Sequence, residues 1–281
     1  MAGEHTGGQH PLAVTPTLTH IARLQCDRHY RDTRGRFFVE GVRNFVTAVD
    51  CGCAVDTLLY SERLLTSPIA RKLVRRLKRE GVPFARVSPE QFRTVSRAER
   101  ASGVGAILRQ HVQNIPNVTP GDSPCWIVLN EVRSPGNFGA LIRTSAAIGA
   151  AGFILLGHSI DPFEPVVVRA SMGALFRQTF VRTSIGHLHQ WVQRHDLPVV
   201  GASPDGTMEY DQVHYTRPTV LVLGRERGGL TAAQRALCQQ IVRIPMVAGI
   251  DSLNLSVAGS LLMYAVARAL QHHDCKMVHS Q

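Results

Sequence analysis

From Trp126 onward the chain repeats one pattern: a short apolar run, a loop dense in glycine and polar side chains, then a helical stretch. The apolar runs are Trp126–Leu129, Phe153–Leu156, Leu197–Val200, Thr219–Leu223 and Ile241–Ile244, with a further strand around Thr179–Val181. The intervening helices are expected at Phe138–Ile148, near Pro165–Gly173, at Ser184–His195, after a capping box of Thr231 with Gln234, and at Leu253–Gln271. Strands apolar along their whole length need cover on both faces, and strands joined through helices run parallel. The expectation is an α/β fold with a parallel sheet over residues 125–281.

Residues 1–112 read as a separate, smaller α/β domain. Thr15-Pro16 resembles a helix start, Phe37-Phe38-Val39 a strand, and Gly41 to Asp50 a helix. A strand at Thr57–Tyr60 precedes a helix capped by Ser67-Pro68, with Ile69, Leu73 and Leu77 at i, i+4 and i+8, ending at Gly81. A strand at Phe84–Val87, a capping box at Ser88–Gln91 and a strand at Val104–Leu108 complete the domain. Residues 113–124, QNIPNVTPGDSP, are proline-rich without apolar periodicity and read as a linker.

Charge narrows the function. The net charge of the 281-residue chain is +10. Residues 1–115 hold 18 basic and 10 acidic side chains, against 13 and 11 in the remainder. A basic front half suggests a polyanion partner, nucleic acid above all. The helix from Pro68 carries Arg71, Lys72, Arg75, Arg76, Lys78 and Arg79, so Arg71, Arg75 and Arg76 are candidates for backbone phosphate contact; a solvated face is the alternative. No apolar run approaches the ~18 residues of a membrane span, and MAGEHTGGQHPL lacks a charged-then-apolar signal pattern. Six cysteines in so long a chain do not make a disulfide framework, so a soluble, cytoplasmic protein with reduced thiols is expected.

Three loops leaving strands stand out. They are Asn130–Gly139 followed by Arg143, Gly224–Gly229, and Pro245–Asn254 ending Asp251-Ser252-Leu253-Asn254. Ligands of open parallel sheets collect at the carboxyl ends of strands. One such loop is ordinary loop chemistry; three in one domain point to a site. No G-x-G-x-x-G follows the first strand, no P-loop occurs, and no H-E-x-x-H or paired C-x-x-C occurs. Cys51-Gly52-Cys53 lacks the usual metal or redox spacing, and His272-His273-Asp274-Cys275 reads as a polar terminus, so no metal is expected.

The three loops resemble the signature motifs of the SpoU (TrmH-type) branch of the SPOUT RNA methyltransferases. Asn137, Gly139 and Arg143 match the first motif, Gly224, Glu226 and Gly229 the second, and Ile244-Pro245-Met246 with Ser252-Leu253-Asn254 the third. Arg169, Ser171, Gly173 and Ala174 match a minor motif. The first domain, with its RGRFFVEGVRNF, is similar to the substrate-binding domain that precedes many of these catalytic domains, of ribosomal protein L30e type.

The resemblance implies a SPOUT trefoil knot in the C-terminal parallel-sheet domain, S-adenosylmethionine as cofactor, and methylation of a ribose 2′-hydroxyl in RNA by a homodimer. It implies cofactor contacts at Gly224, Ile244 and Leu253, with Leu223 and Met246 beside them. It gives Arg143 the central role, as base or as stabiliser of a forming alkoxide, the second being easier for a permanently charged guanidinium. Asn137 and Asn254 would orient Arg143 or the ribose, Glu226 would pair with a basic group, Ser252 would bond phosphate or Arg143, and Arg169 would hold phosphate from the second subunit. Ser252 and Asn254 are equally readable as caps of the last helix. Arg133, Arg225 and Arg227 read as RNA-facing or solvated, and Trp126 as core. The layout resembles the 23S ribosomal RNA ribose methyltransferases with which antibiotic producers protect their ribosomes, and 28 Arg against 3 Lys fits a GC-rich coding genome. A transfer RNA target, a housekeeping ribosomal site, a non-catalytic RNA-binding protein and an unrelated α/β nucleotide enzyme are the competing readings.

Overall fold

A computed structural model of the chain describes residues 12–249 and 252–278, the last seven by backbone alone. The segment through Pro11, Asp251, and the side chains of His272, His273, Asp274 and Cys275 lie outside the described residues. Two compact units emerge: residues through His111 together with Phe163–Phe176, and residues Val112–Pro162 with Arg177 onward.

In the first unit, α1 (Val14–Cys26) and α2 (Arg28–Arg34) lead into β1 (Arg36–Glu40), α3 (Val42–Asp50), β2 (Val55–Tyr60), α4 (Pro68–Arg79), β3 (Phe84–Arg86), α5 (Pro89–Val95) and β4 (Val104–Arg109). The strands form a mixed sheet in the order β1-β4-β2-β3, with β4 antiparallel to both β1 and β2. Ile21 and Leu24 from α1 and Phe92 and Val95 from α5 pack with Phe38, Leu59 and Ile107 in one core cluster. Residues 163–176 add Phe163, whose ring lies 4.7 Å from that of Phe37 on β1.

Three local expectations shift. Helix α1 begins at Val14, not after a Thr15 cap, and Pro16 sits in its first turn, where backbone N–H groups have no helical partner to lose. The α2 turn was not expected; Asp27 caps it by accepting from the Tyr30 amide, and Gly35 closes it in the left-handed conformation. On α4 the inward stripe is Ala70, Val74 and Leu77, while Ile69 is 63% exposed and Leu73 half-buried.

The second unit is an eight-stranded sheet. Its elements are β5 (Gln113–Asn114), β6 (Cys125–Leu129), α6 (Pro135–Ala147), β7 (Gly152–Leu156), then, past α7 (Pro165–Ala170) of the first unit, β8 (Thr179–Thr183), α8 (Ile185–Arg194), β9 (Val199–Ala202), β10 (Met208–Glu209), β11 (Thr219–Leu223), α9 (Ala232–Leu237), β12 (Gln240–Arg243) and α10 (Leu255–Val278). The order is β10-β12-β9-β11-β6-β7-β8-β5, and every pairing is parallel. Strands β6, β7 and β11 are buried at every position, as all-apolar sequences require. The stretch expected as a linker is built into this unit: β5 pairs with β8, Ile115 and Val118 join the core, and Trp191 Nε1 donates to the Val118 carbonyl at 2.8 Å. Trp126 is buried as expected.

Candidate functional site

Strands β6, β9, β11 and β12 are parallel, so their carboxyl ends open on one edge of the sheet. After β6, Ser134 caps α6 by accepting from the Asn137 amide at 3.4 Å, with Pro135 at the first helical position. The helix thus begins three residues before the expected Phe138, and Asn137 stands in its first turn. After β11, Arg225 donates its amide to the Gly229 carbonyl at 3.0 Å, and Gly228 and Gly229 take φ of 86° and 60°. A Cβ on Gly224 would lie 2.6 Å from the Gly229 carbonyl carbon, so the loop closes on itself only with glycine there. After β12, Asn254 accepts from the Ser256 amide at 2.9 Å and from its hydroxyl at 2.7 Å. Asn254 therefore starts α10, which begins at Leu255 and not at Leu253; Ser252 makes no such cap.

The three loops meet through side chains. Asn137 Nδ2 donates to Glu226 Oε1 at 2.6 Å, and Asn254 Nδ2 donates to Asn137 Oδ1 at 3.1 Å. A carboxylate only accepts, so Glu226 fixes which end of the Asn137 amide faces it, and Asn137 in turn fixes Asn254. Each donor in this chain points from the N-terminus of α10 toward the carboxylate. The helix end is the positive pole, so the whole relay is polarised in one sense.

These groups line a cavity of about 560 Å3. Nine expected residues line it together: Asn137, Glu226, Ser252 and Asn254 of the polar set, and Leu223, Gly224, Ile244, Met246 and Leu253 of the cofactor set. Among the described residues, Arg225 and Glu226 are the charged ones that line it. Arg143 is not among the lining residues; it is exposed on α6, with no polar partner among the described residues. Sequence reasoning missed Ala202, Ser203 and Pro204, which form another wall. The run Gly201-Ala-Ser-Pro-Asp-Gly206 has the same strand-exit signature as the other loops and was the available signal.

On the basic helix α4 the candidates separate. Arg71 donates to the Leu65 carbonyl at 2.6 Å and Arg76 pairs with Glu80 at 3.4 Å. Arg75, with Lys72, Lys78 and Arg79, rings a hollow of about 450 Å3 lined by no acid. Arg169, on α7 of the first unit, is exposed and borders a small hollow with Arg97 and Asn44. Among the described residues no group of three or more His, Cys, Asp or Glu side chains is placed to hold a metal, and no helix is long and apolar enough to cross a membrane.

Residues 124–264 match the SpoU rRNA Methylase family, and residues 16–106 the MRM3-like substrate binding domain. The chain is 32% identical over 249 residues to the 23S rRNA (uridine(2479)-2′-O)-methyltransferase of Streptomyces viridochromogenes, with 86% of each chain covered. It resembles the AdoMet-bound rRNA methyltransferase from Sinorhizobium meliloti at 28% identity and a TM-score of 0.85, covering 94% of this chain and 99% of that one. It resembles the SpoU methyltransferase AviRb from Streptomyces viridochromogenes at 30% identity and a TM-score of 0.81, covering 90% and 97%.

Proposed function

Because the chain belongs to the SpoU rRNA methylase family, we propose that it methylates a ribose 2′-hydroxyl of 23S ribosomal RNA with S-adenosylmethionine as donor. The observation that carries this reading is the convergence of three strand-exit loops on one cavity through the Asn254–Asn137–Glu226 relay. The relative from Streptomyces viridochromogenes, named for 23S rRNA, supports the ribosomal target over transfer RNA.

The cavity fits such a donor. Its volume lies in the range of small-molecule sites, and its walls combine aliphatic side chains with glycine- and proline-rich backbone. Leu223, Gly224, Ile244, Met246 and Leu253 would hold it. When bound, S-adenosylmethionine supplies a methyl group already activated by its sulfonium. The chain's own contribution is then position and charge. Glu226 holds the Asn137 amide, and Asn137 with Asn254 presents a fixed polar edge to the ribose. Ser252, exposed at the cavity, offers a hydroxyl to phosphate. Arg143 would act as a permanent cation that stabilises the charge developing on the 2′-oxygen, while the hydroxyl proton passes to solvent water.

Arg143 stands outside the lining of its own cavity, and the reading assigns it to the cavity of a second copy, in a homodimer. Two observations support it. Arg143 is exposed outside its own cavity, and Val257, Leu261 and Tyr264 lie exposed at i, i+4 and i+7 on α10. The two features adjoin: Thr144 and Ser260, their sequence neighbours, share a hydrogen bond of 2.9 Å. The reading also includes the knot. Its support is that strand β12 pairs with β9 while α10, the next helix, packs on α6 and β11. The first unit delivers RNA through α4 and Arg169. Protection of the ribosome against an antibiotic, in the cytoplasm, is the physiological role proposed.

The test is incubation of the purified chain with tritiated S-adenosylmethionine and unmodified total RNA, followed by mapping of the label. Label on a 2′-oxygen of 23S RNA is expected. Label on transfer RNA would replace the target, and donor binding without any transfer would leave a non-catalytic RNA-binding protein.

A further inference from the structure

The loop leaving β9 carries one wall of the cavity, and it is tied down more thoroughly than a surface loop needs to be. Ser203 donates its amide to the Val242 carbonyl at 2.9 Å, Gly206 to the Ser203 carbonyl at 3.0 Å, and Thr207 to the Ile241 carbonyl at 3.2 Å. A Cβ on Gly206 would lie 2.3 Å from the Val242 carbonyl carbon, so the loop lies directly on β12.

The side chains close a second lock. One nitrogen of Arg235, Nη2, donates both to Ser203 Oγ and to Asp205 Oδ1, each at 2.9 Å. The Ser203 hydroxyl donates to Asp205 Oδ1, so the three groups form a closed triangle. Arg235 comes from the last turn of α9, whose start is fixed by the Thr231–Gln234 capping box. The ion pair is well exposed, with side chains 64% exposed at Asp205 and 37% at Arg235, so its share of global stability is small. Yet its partner Ser203 lines the cavity. The hydroxyl proton of Ser203 is committed to Asp205, which leaves backbone and the Pro204 ring to face a ligand.

We propose that Arg235 and Asp205 are positioning residues for the methyl donor: through Ser203 they hold residues 202–206 in the shape that receives it. This rests on the reading of the cavity as a donor site. Without the lock the loop populates other conformations, and apparent affinity falls by the fraction that remains competent. The Arg235 guanidinium, and after it the Ser203 hydroxyl, hold the Asp205 carboxyl down to about 2, so the lock is charged throughout the neutral range.

Calorimetry of S-adenosylmethionine binding to the full chain, with steady-state methyl transfer at varied donor concentration, tests the proposal. Arg235→Ala is expected to raise donor Kd and KM about fivefold, as it would if one loop in five stayed competent, and to leave kcat within about twofold. Arg235→Lys restores part of both constants, because its ammonium, one bond shorter than Nη2, keeps a cation beside Asp205. Asp205→Ala, on the exposed side of the pair, reproduces the shift without touching α9. Unchanged donor constants in the Ala variants, or a loss that lysine does not restore in part, would overturn the proposal alone. A wild-type chain that takes up no donor would overturn the donor reading, and this inference with it.

Discussion

At the scale of single residues, the polar relay and the glycine turn make the sharpest demands. Gly224→Ala places a methyl group 2.6 Å from one backbone atom of its own loop and 2.7 Å from another, neither of which can rotate away. The loop must open, and donor affinity measured by calorimetry should fall at least about fivefold, in line with the ~1–3 kcal/mol that overpacking costs. The thiols divide by burial. Burial pushes Cys125 up to about 12 and Cys238 up to about 11, so both stay protonated at pH 8. Cys26 and Cys51 are exposed. Iodoacetamide at pH 8 should label Cys26 and Cys51 and spare Cys125, and peptide mass spectrometry reads this directly. The residue that sequence spacing left unplaced is Arg143. Six positions at ~100° each put it about 240° around α6 from Asn137, so one helix cannot aim both at one point. The structure has the same separation: Asn137 lines the cavity and Arg143 does not.

At the scale of elements, the starts of α4, α5 and α9 were legible because caps announce themselves. Ser67, Ser88 and Thr231 precede helices that start where their hydroxyls accept a backbone amide. Strands β6, β7 and β11 were legible as unbroken apolar runs. What failed was the register of α4. Its apolar positions 69, 70, 73, 74 and 77 span an arc of about 140° centred near Leu77, which leaves Ile69 at the rim. A wide arc offers two i, i+4 ladders, and only the packed unit selects Ala70–Val74. The close crossing of α10 over α6 was not legible either. A Cβ on Gly259 would lie 2.5 Å from Leu141 Cδ2 and 2.8 Å from Leu223 Cδ1, both buried side chains. Gly259→Ala should cost about 1–3 kcal/mol in chemical denaturation and weaken donor binding, since Leu223 lines the cavity. For α4, replacing Lys72, Arg75, Lys78 and Arg79 together by Gln should weaken RNA binding and flatten its salt dependence. The plot of log K against log salt should lose about one unit of slope for each phosphate contact removed. An unchanged slope would show that this face is merely solvated.

At the scale of the whole molecule, a site completed by a neighbour has a signature no single-chain site can imitate. Arg143→Ala and Asn137→Ala should each abolish methyl transfer while the former still binds donor. Mixed after unfolding and refolding together, they should regain about a quarter of wild-type activity. In the homodimer proposed above, half of the pairs would then be mixed, each with one intact cavity facing one intact arginine. No recovery would place Arg143 in its own chain's chemistry. The separation of the chain into two units has a different outcome. Residues 163–176 belong with the first unit although they are encoded deep within the second. On the ribosome, therefore, the front lobe emerges early but stays unfinished while another fifty residues are made, its Phe37 side lacking Phe163. A single protease nick after His111 should likewise fail to release either lobe, because the polypeptide crosses back twice more.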